Sequence, residues 1–333
     1  MSKKIVCTLC AVILVAAIVI TGILVSDDEK VTTKNIYTFD TLGEITLYEA
    51  DDSLADDITD KANKLNDKLD GFDESSSLSA LNQTKESDDP DLYSIIEQSV
   101  SLYKKYGEVD VTLGELIYLW DINSESPEVP SDDEISAALS TSGIDNISLE
   151  DGRISLSGDT SLELGSVAKG YLLNELKETL PGRCDSALIN LSSSILLYGE
   201  RKFSIGVKNP SDENDILATL KLSDTSVSTS GSYERYFEVD GVTYSHILDA
   251  KTGYPATSDI LSVTVVCDDA LTGDFLSTAL FIKGSDELLK IAGQLESDGI
   301  YFIAITDDNE ILISRQLEDK FTLENTQFKI TTV

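Results

Sequence analysis

The stretch LSVTVVCDDALTGDFLSTALFIKGSDELLKIAGQLESDGIYFIAITDDNEILIS, residues 261–314, decides the fold class. Leu261–Cys267 is a β-branched run of strand length. Thr272–Ile282 and Ser285–Leu295 read as helices, and Ile300–Ile305 with Ile311–Ser314 as a closing hairpin. One strand, two helical stretches and then two adjacent strands do not alternate as a doubly wound sheet requires, so the reading is α+β. Working outward, Ser186–Tyr198, Phe203–Val207, Ala218–Leu222 and Tyr233–Val239 are strand-like, and Val167–Leu180 is helical. Nearer the N-terminus, Leu54, Ile58, Ala62, Leu65 and Leu69 recur at helical spacing, and a second helix is predicted over Leu92–Tyr106. Alternation at Tyr37, Phe39, Ile45 and Leu47 predicts a hairpin turning at Gly43. No repeat and no Pro/Gly-rich linker interrupts residues 35–333, which read as one unit with a mixed sheet and packed helices.

The chain of 333 residues carries 60 acidic and 25 basic side chains, a formal charge of −35. Such a surface repels phosphate backbones and excludes nucleic acid as a partner. The 41% apolar content suffices for a core. There is one histidine, His246, so a multi-histidine zinc site is impossible and any general-base histidine is this one. Cys184 and Cys267 are too few for a disulfide framework and read as core fillers.

Ile5–Val25 is free of charge, and its 21 residues would span about 31 Å as a helix, one bilayer core. Lys3 and Lys4 precede it; Asp27, Asp28 and Glu29 follow it. The positive-inside rule then leaves the N-terminus in the cytoplasm and the body outside. Residues 1–29 are accordingly expected to be one transmembrane helix, an uncleaved anchor, with a cleaved signal peptide as the competing reading and a secreted body as its consequence. Residues 30–333 form the expected catalytic domain.

Four segments carry chemistry. Asp110–Gly114 sets a polar pair beside a turn glycine and runs on to Trp120. Glu163–Tyr171 places Gly165, Lys169 and Gly170 at the mouth of a helix, where N–H groups and the dipole favour an anion. The same glycines also suit tight packing, with Lys169 solvated. Ser245–Pro255 holds His246 three residues before Asp249, either a base or a structural histidine. In Gly273–Leu280, Asp274 and Thr278 share one helix face and offer the hard oxygens that Mg²⁺ prefers. An aspartate favoured by the helix dipole fits that position as well.

In this order, these segments together with TSGSYERY (229–236) resemble the ApbE family of FAD:protein FMN transferases. The likeness runs from about Tyr37 to the C-terminus. It implies an enzyme that moves FMN from FAD to a threonine hydroxyl of a target protein, releasing AMP with the help of Mg²⁺. By that resemblance, Asp274, Thr278, the Ser166 carbonyl and Ser277 are the metal ligands, and His246 acts on the acceptor or the transition state, with Asp274 as the second catalytic residue. Phe39, Phe72, Val109, Asp110, Val111, Glu163, Lys169 and Leu248 are the FAD contacts. The implied partner is an anchored or secreted electron-transfer protein bearing a threonine acceptor motif. No D-G-x-[ST]-[GA]-x-T acceptor occurs in this chain.

Departures from the family pattern are Ser192-Ser193-Ser194 where Gly-Gly-Asp is usual, Asn174 where Asp is common, Ser232 where Asp or Asn is common, and Glu163 where Asp is frequent. They leave two other functions open, a FAD pyrophosphatase giving FMN and AMP and a non-catalytic flavin-binding surface protein.

Overall fold

The computed structural model describes residues 29–333. The expected anchor, Ile5–Val25, lies outside the described residues, and among these no helix is long and apolar enough to cross a membrane.

The first half of the chain runs β1 (Val31–Thr38), β2 (Thr41–Tyr48), α1 (Leu54–Leu69), α2 (Ser77–Thr84), β3 (Glu86–Ser87), α3 (Pro90–Tyr106), α4 (Gly114–Trp120), α5 (Asp132–Leu139), β4 (Ile147–Glu150) and β5 (Arg153–Leu156). It continues through α6 (Ala168–Lys177), β6 (Ser186–Leu191), β7 (Ser194–Tyr198), β8 (Phe203–Asn209), β9 (Asp212–Leu222), β10 (Thr225–Gly231), β11 (Tyr236–Val239) and β12 (Val242–Ser245). The remainder is β13 (Ile260–Cys267), α7 (Ala270–Ser297), β14 (Tyr301–Thr306), β15 (Glu310–Ile313), β16 (Phe321–Leu323) and β17 (Lys329–Thr332).

Among the described residues, nine strands form one sheet in the order β1-β2-β6-β7-β10-β13-β14-β15-β17. Its neighbours are antiparallel except the parallel pair β15–β17, so the sheet is mixed, as the sequence predicts. One face packs helices α1, α3, α6 and α7 over Leu47, Ile189, Val263 and Val265. The other face packs the β16-β9-β8 sheet through Ile195, Val227, Ile205 and Leu220. The expected α+β class stands.

Local chemistry sets the helices. The stripe Leu54, Ile58, Ala62, Leu65, Leu69 is buried along α1. Asp89 accepts from the amides of Asp91 and Leu92 and Pro90 occupies the first turn, which starts α3. In α7, Asp269 caps the start through the Thr272 amide at 2.7 Å. The helix breaks at Gly284 (φ 75°), and Asp259 accepts the Ser285 amide at 3.0 Å where it restarts. The two helical stretches expected here, Thr272–Ile282 and Ser285–Leu295, thus lie on either side of the break at Gly284.

Two expectations need correction. The first hairpin turns at Phe39–Asp40 (φ 47° and 52°), and Gly43 sits inside β2 opposite Ile36. Its hydrogen is needed there because a Cβ would stand 2.5 Å from the Asn190 carbonyl oxygen. The run Ser186–Tyr198 is two strands folded back at Ser192–Ser193, with Leu191 opposite Ser194.

Candidate active site

The centre forms where α6 starts against α7. Gly170 touches the α7 backbone so closely that a Cβ would lie 2.4 Å from the Ala270 carbonyl oxygen. The contact lets the Gly170 amide donate to Asp274 Oδ2 at 2.9 Å. From the sheet below, Ser194 Oγ donates to Asp274 Oδ1 at 2.8 Å. Burial pushes the Asp274 carboxyl up from its ordinary value, against the opposing pull of Lys169 and these two bonds.

Strand β10 presents Ser226, Ser228 and Ser230 to the α7 side, a consequence of two-residue alternation. Ser230 Oγ stands 2.9 Å from Ser277 Oγ and 3.0 Å from Thr278 Oγ1. Beyond β10, Glu234 and Arg235 enter the same field. Burial raises the Glu234 carboxyl to about 7; Lys169 and Arg235 oppose this and Asp274 adds to it.

His246 follows β12, whose hairpin partner β11 begins one residue after Arg235. Its Nδ1 lies 3.1 Å from the Arg235 carbonyl oxygen. Burial first, then the Arg235 charge, push the imidazole down to about 4, so it is neutral at pH 7. The loop after it is anchored by Trp120, whose indole donates to the Gly253 carbonyl at 2.9 Å. Trp120 also packs with Phe237, Tyr244 and Tyr254, and Leu248 is buried in this cluster.

Glu163 lies on the near side. Its amide donates to the Val111 carbonyl at 2.9 Å and its Oε1 accepts from the Gly165 amide at 2.8 Å. Burial raises its carboxyl, and Lys169 and Arg235 counter that. Ser166 is half-buried in the turn leading to α6. Val109, Asp110 and Val111 are buried, and Asp110 Oδ1 accepts from the Thr112 amide at 2.8 Å. Asp110 also lines a cleft with Tyr103, Glu108, Gly143 and Lys251. Phe72 is 57% exposed, edge-on to Tyr118 at 5.0 Å, so one face is open to a planar ligand. Phe39, in the first hairpin turn, donates its amide to Asn66 Oδ1 at 2.6 Å.

The structure thus gathers Glu163, Lys169, His246 and Asp274 in one electrostatic field. It sets Phe39, Phe72 and Val109–Val111 on the flanks of that centre, without a contact between Phe39 or Phe72 and Lys169 or Asp274. Sequence reasoning assigned no role to Ser194, Ser230, Glu234 or Arg235. The polar run TSVSTSG in β10 was the available signal: a strand whose inward face is serine needs polar partners.

Donor chemistry fits one cation type. Among the described residues no group of three or more His, Cys, Asp or Glu could hold a metal. Asp274 offers one carboxylate, with the neutral Ser194 hydroxyl on it and the Thr278 hydroxyl one helical turn on. That set suits Mg²⁺, which binds through few carboxylates, waters and substrate phosphate.

A model described as the ApbE family matches residues 39–302. The FAD:protein FMN transferase of Klebsiella pneumoniae strain 342 is 33% identical over 218 residues, covering 64% of this chain and 68% of that protein. The enzyme of the same name from Treponema pallidum is 30% identical over 281 residues, covering 76% and 77%. Among solved structures, the ApbE protein of Thermotoga maritima superposes with a TM-score of 0.81 at 28% identity, covering 87% of this chain and 99% of that one. The apo flavinyl transferase ApbE of Pseudomonas stutzeri gives 0.74 at 25% identity, covering 84% and 92%. With its motifs converging on one centre and its sequence matched over most of its length, this chain belongs to the ApbE family.

Proposed function

We propose that this protein is a FAD:protein FMN transferase that forms a phosphoester between the FMN moiety of FAD and a threonine of an acceptor protein. The observation that carries the reading is the convergence on Lys169: its charge acts on Glu163, Glu234, His246 and Asp274, which come from four separate motifs. A single ammonium among desolvated groups, beside the start of a helix, is a place for a pyrophosphate.

The threonine oxygen forms a bond to the FMN phosphorus as the pyrophosphate P–O bond breaks, and AMP leaves with that electron pair. The threonine proton passes to His246 Nε2. That nitrogen holds the free lone pair because the Arg235 carbonyl fixes the proton of the neutral ring on Nδ1. Lys169 orients the phosphates, and Phe72 and Leu248 flank the flavin. Asp274, Thr278 and the Ser166 carbonyl would hold Mg²⁺, which when bound neutralises pyrophosphate charge.

The N-terminal charge pattern supports an anchored enzyme with its body outside the cytoplasm, acting on anchored or secreted electron-transfer proteins. The test is incubation of the full chain with FAD, Mg²⁺ and a peptide bearing D-G-x-[ST]-[GA]-x-T. A fluorescent, acid-stable peptide and AMP are expected. Free FMN and AMP without labelled peptide would mark a pyrophosphatase, and FAD retained intact would mark a binding protein.

A further inference from the structure

The hydroxyls beneath α7 have a forced direction. Ser277 Oγ lies 3.0 Å from the main-chain carbonyl oxygen of Asp274, one turn back. A carbonyl only accepts, so the single Ser277 hydroxyl proton is committed there. In the 2.9 Å contact between Ser230 and Ser277, Ser230 is then the donor. With its own proton so committed, Ser230 accepts in the 3.0 Å contact with Thr278. The result is a directed relay: Thr278 donates to Ser230, Ser230 to Ser277, and Ser277 to the Asp274 carbonyl. Hydrogen bonds in such chains polarise one another.

The direction separates two neighbours that look alike in sequence. The Thr278 proton is pinned toward β10, and the relay claims neither of its lone pairs. Ser277 gives its proton to a carbonyl and a lone pair to Ser230, and it is fully buried. A hydroxyl binds a cation through a lone pair, so Thr278, half-buried with both lone pairs unclaimed by the relay, is set for that role, and the fully buried Ser277, with one left, is not.

We propose that Ser230 is a positioning residue for the divalent-cation site, holding Thr278 in the ligand orientation, and that Ser277 serves this relay instead of the metal. The inference rests on the reading that Asp274 and Thr278 hold Mg²⁺.

Mn²⁺ is the probe, its binding to the full chain measured by electron paramagnetic resonance without FAD. Ser230→Ala is expected to weaken Mn²⁺ binding about 10- to 100-fold, the usual effect of losing a partner behind a metal ligand. Ser277→Ala is expected to weaken it too, and the double variant to lose no more than the worse single one, because both break one relay. Thr229→Val is the control: Thr229 faces away from α7 and pairs with Thr264 at 2.9 Å, so its loss is expected to leave Mn²⁺ affinity unchanged. If Ser230→Ala does not fold, Ser230→Cys keeps the volume and replaces the hydroxyl with a weak donor, with the same loss expected. Wild-type affinity in a folded Ser230 variant, or losses that add in the double variant, would overturn the relay. A wild-type chain that binds no Mn²⁺ would overturn the metal reading itself and the relay's purpose with it.

Discussion

The Nδ1 atom of His246 lies 3.1 Å from the carbonyl oxygen of Arg235, and the His246 amide donates to the same oxygen at 3.0 Å. The ring is thereby held as the Nδ1–H tautomer, and burial with the Arg235 charge keeps it neutral down to about pH 4. Because the chain has one histidine, ring-nitrogen NMR reads this group without assignment. The expected spectrum at pH 7 is a neutral imidazole protonated at Nδ1, titrating near 4 and not near 6.5. A ring protonated at Nε2 would remove His246 as the base described above. The linked stability effect has a definite sign. The folded value lies below the unfolded one, so this contribution is full above about pH 6.5 and is lost as pH falls toward 4.

Glu234 runs the other way. Its carboxyl is raised to about 7, chiefly by burial, so its contribution to stability is full below about pH 4.5 and is lost as pH rises through 7. Urea denaturation in EDTA at pH 5 and pH 8 is expected to show the wild type losing about 1–3 kcal/mol more than Glu234→Gln over that interval. Equal losses would place Glu234 in contact with solvent.

Asp274 is a buried carboxylate held between Gly170 and Ser194, strained by desolvation and useful for that reason. Asp274→Asn keeps an oxygen for the Gly170 amide and removes the charge. We expect Mg²⁺ affinity to fall at least about 100-fold, turnover to disappear, and thermal stability at pH 7 to hold or rise. Calorimetric Mg²⁺ titration and a melt on the same sample check both halves. A large drop in melting temperature would make Asp274 a structural residue first.

Much of this is legible in the sequence. The α1 stripe ends at the residues its spacing names, Leu54 and Leu69, because an amphipathic period survives any tertiary context that buries one face. Strand β10 carries no apolar alternation on its α7-facing side because those residues are serines, of which Ser230 answers Ser277 and Thr278 and Ser226 the Cys267 carbonyl, so no local pattern marks it as a strand. The motif residues Lys169, His246 and Asp274 were legible as chemistry, and their meeting was not. The meeting depends on the Gly170–Ala270 contact, between residues 100 positions apart that no local pattern links. Gly43 looks like a turn residue for the reverse reason: its need for a bare backbone comes from Asn190, a neighbour across the sheet.

The same Gly170–Ala270 contact can be tested by adding one carbon. A Cβ at residue 170 would lie 2.4 Å from the Ala270 carbonyl oxygen and 2.6 Å from the Leu271 Cα, both backbone atoms that cannot swing aside. Gly170→Ala is expected to destabilise by about 3 kcal/mol and to abolish FAD binding by pushing the start of α6, and Lys169 with it, away from α7. Gly293→Ala is the comparison, since nothing lies within 4 Å of its would-be Cβ on α7. There alanine should stabilise by up to about 1 kcal/mol. Chemical denaturation of the two variants side by side decides whether the helix contact or glycine loss in general matters.

Ser192 is where this chain stands furthest from the glycines the family pattern calls for. It opens the two-residue loop between β6 and β7 at φ 67°, a left-handed conformation that costs an L-residue roughly 1–2 kcal/mol. Asn190 Oδ1 helps to hold the turn by accepting the Ser192 amide at 2.9 Å. Glycine adopts this conformation without the Cβ clash but loses more entropy on folding, so Ser192→Gly is expected to stabilise by about 0.5–1 kcal/mol. Ser192 and Ser193 also line a cleft shared with Lys208, Tyr233 and Glu234. If strain is the main effect of the serine, the variant gains stability and keeps its FAD affinity. A loss of stability in urea would show that the Ser192 side chain holds the hairpin through contacts of its own, and that the strain is accepted for them.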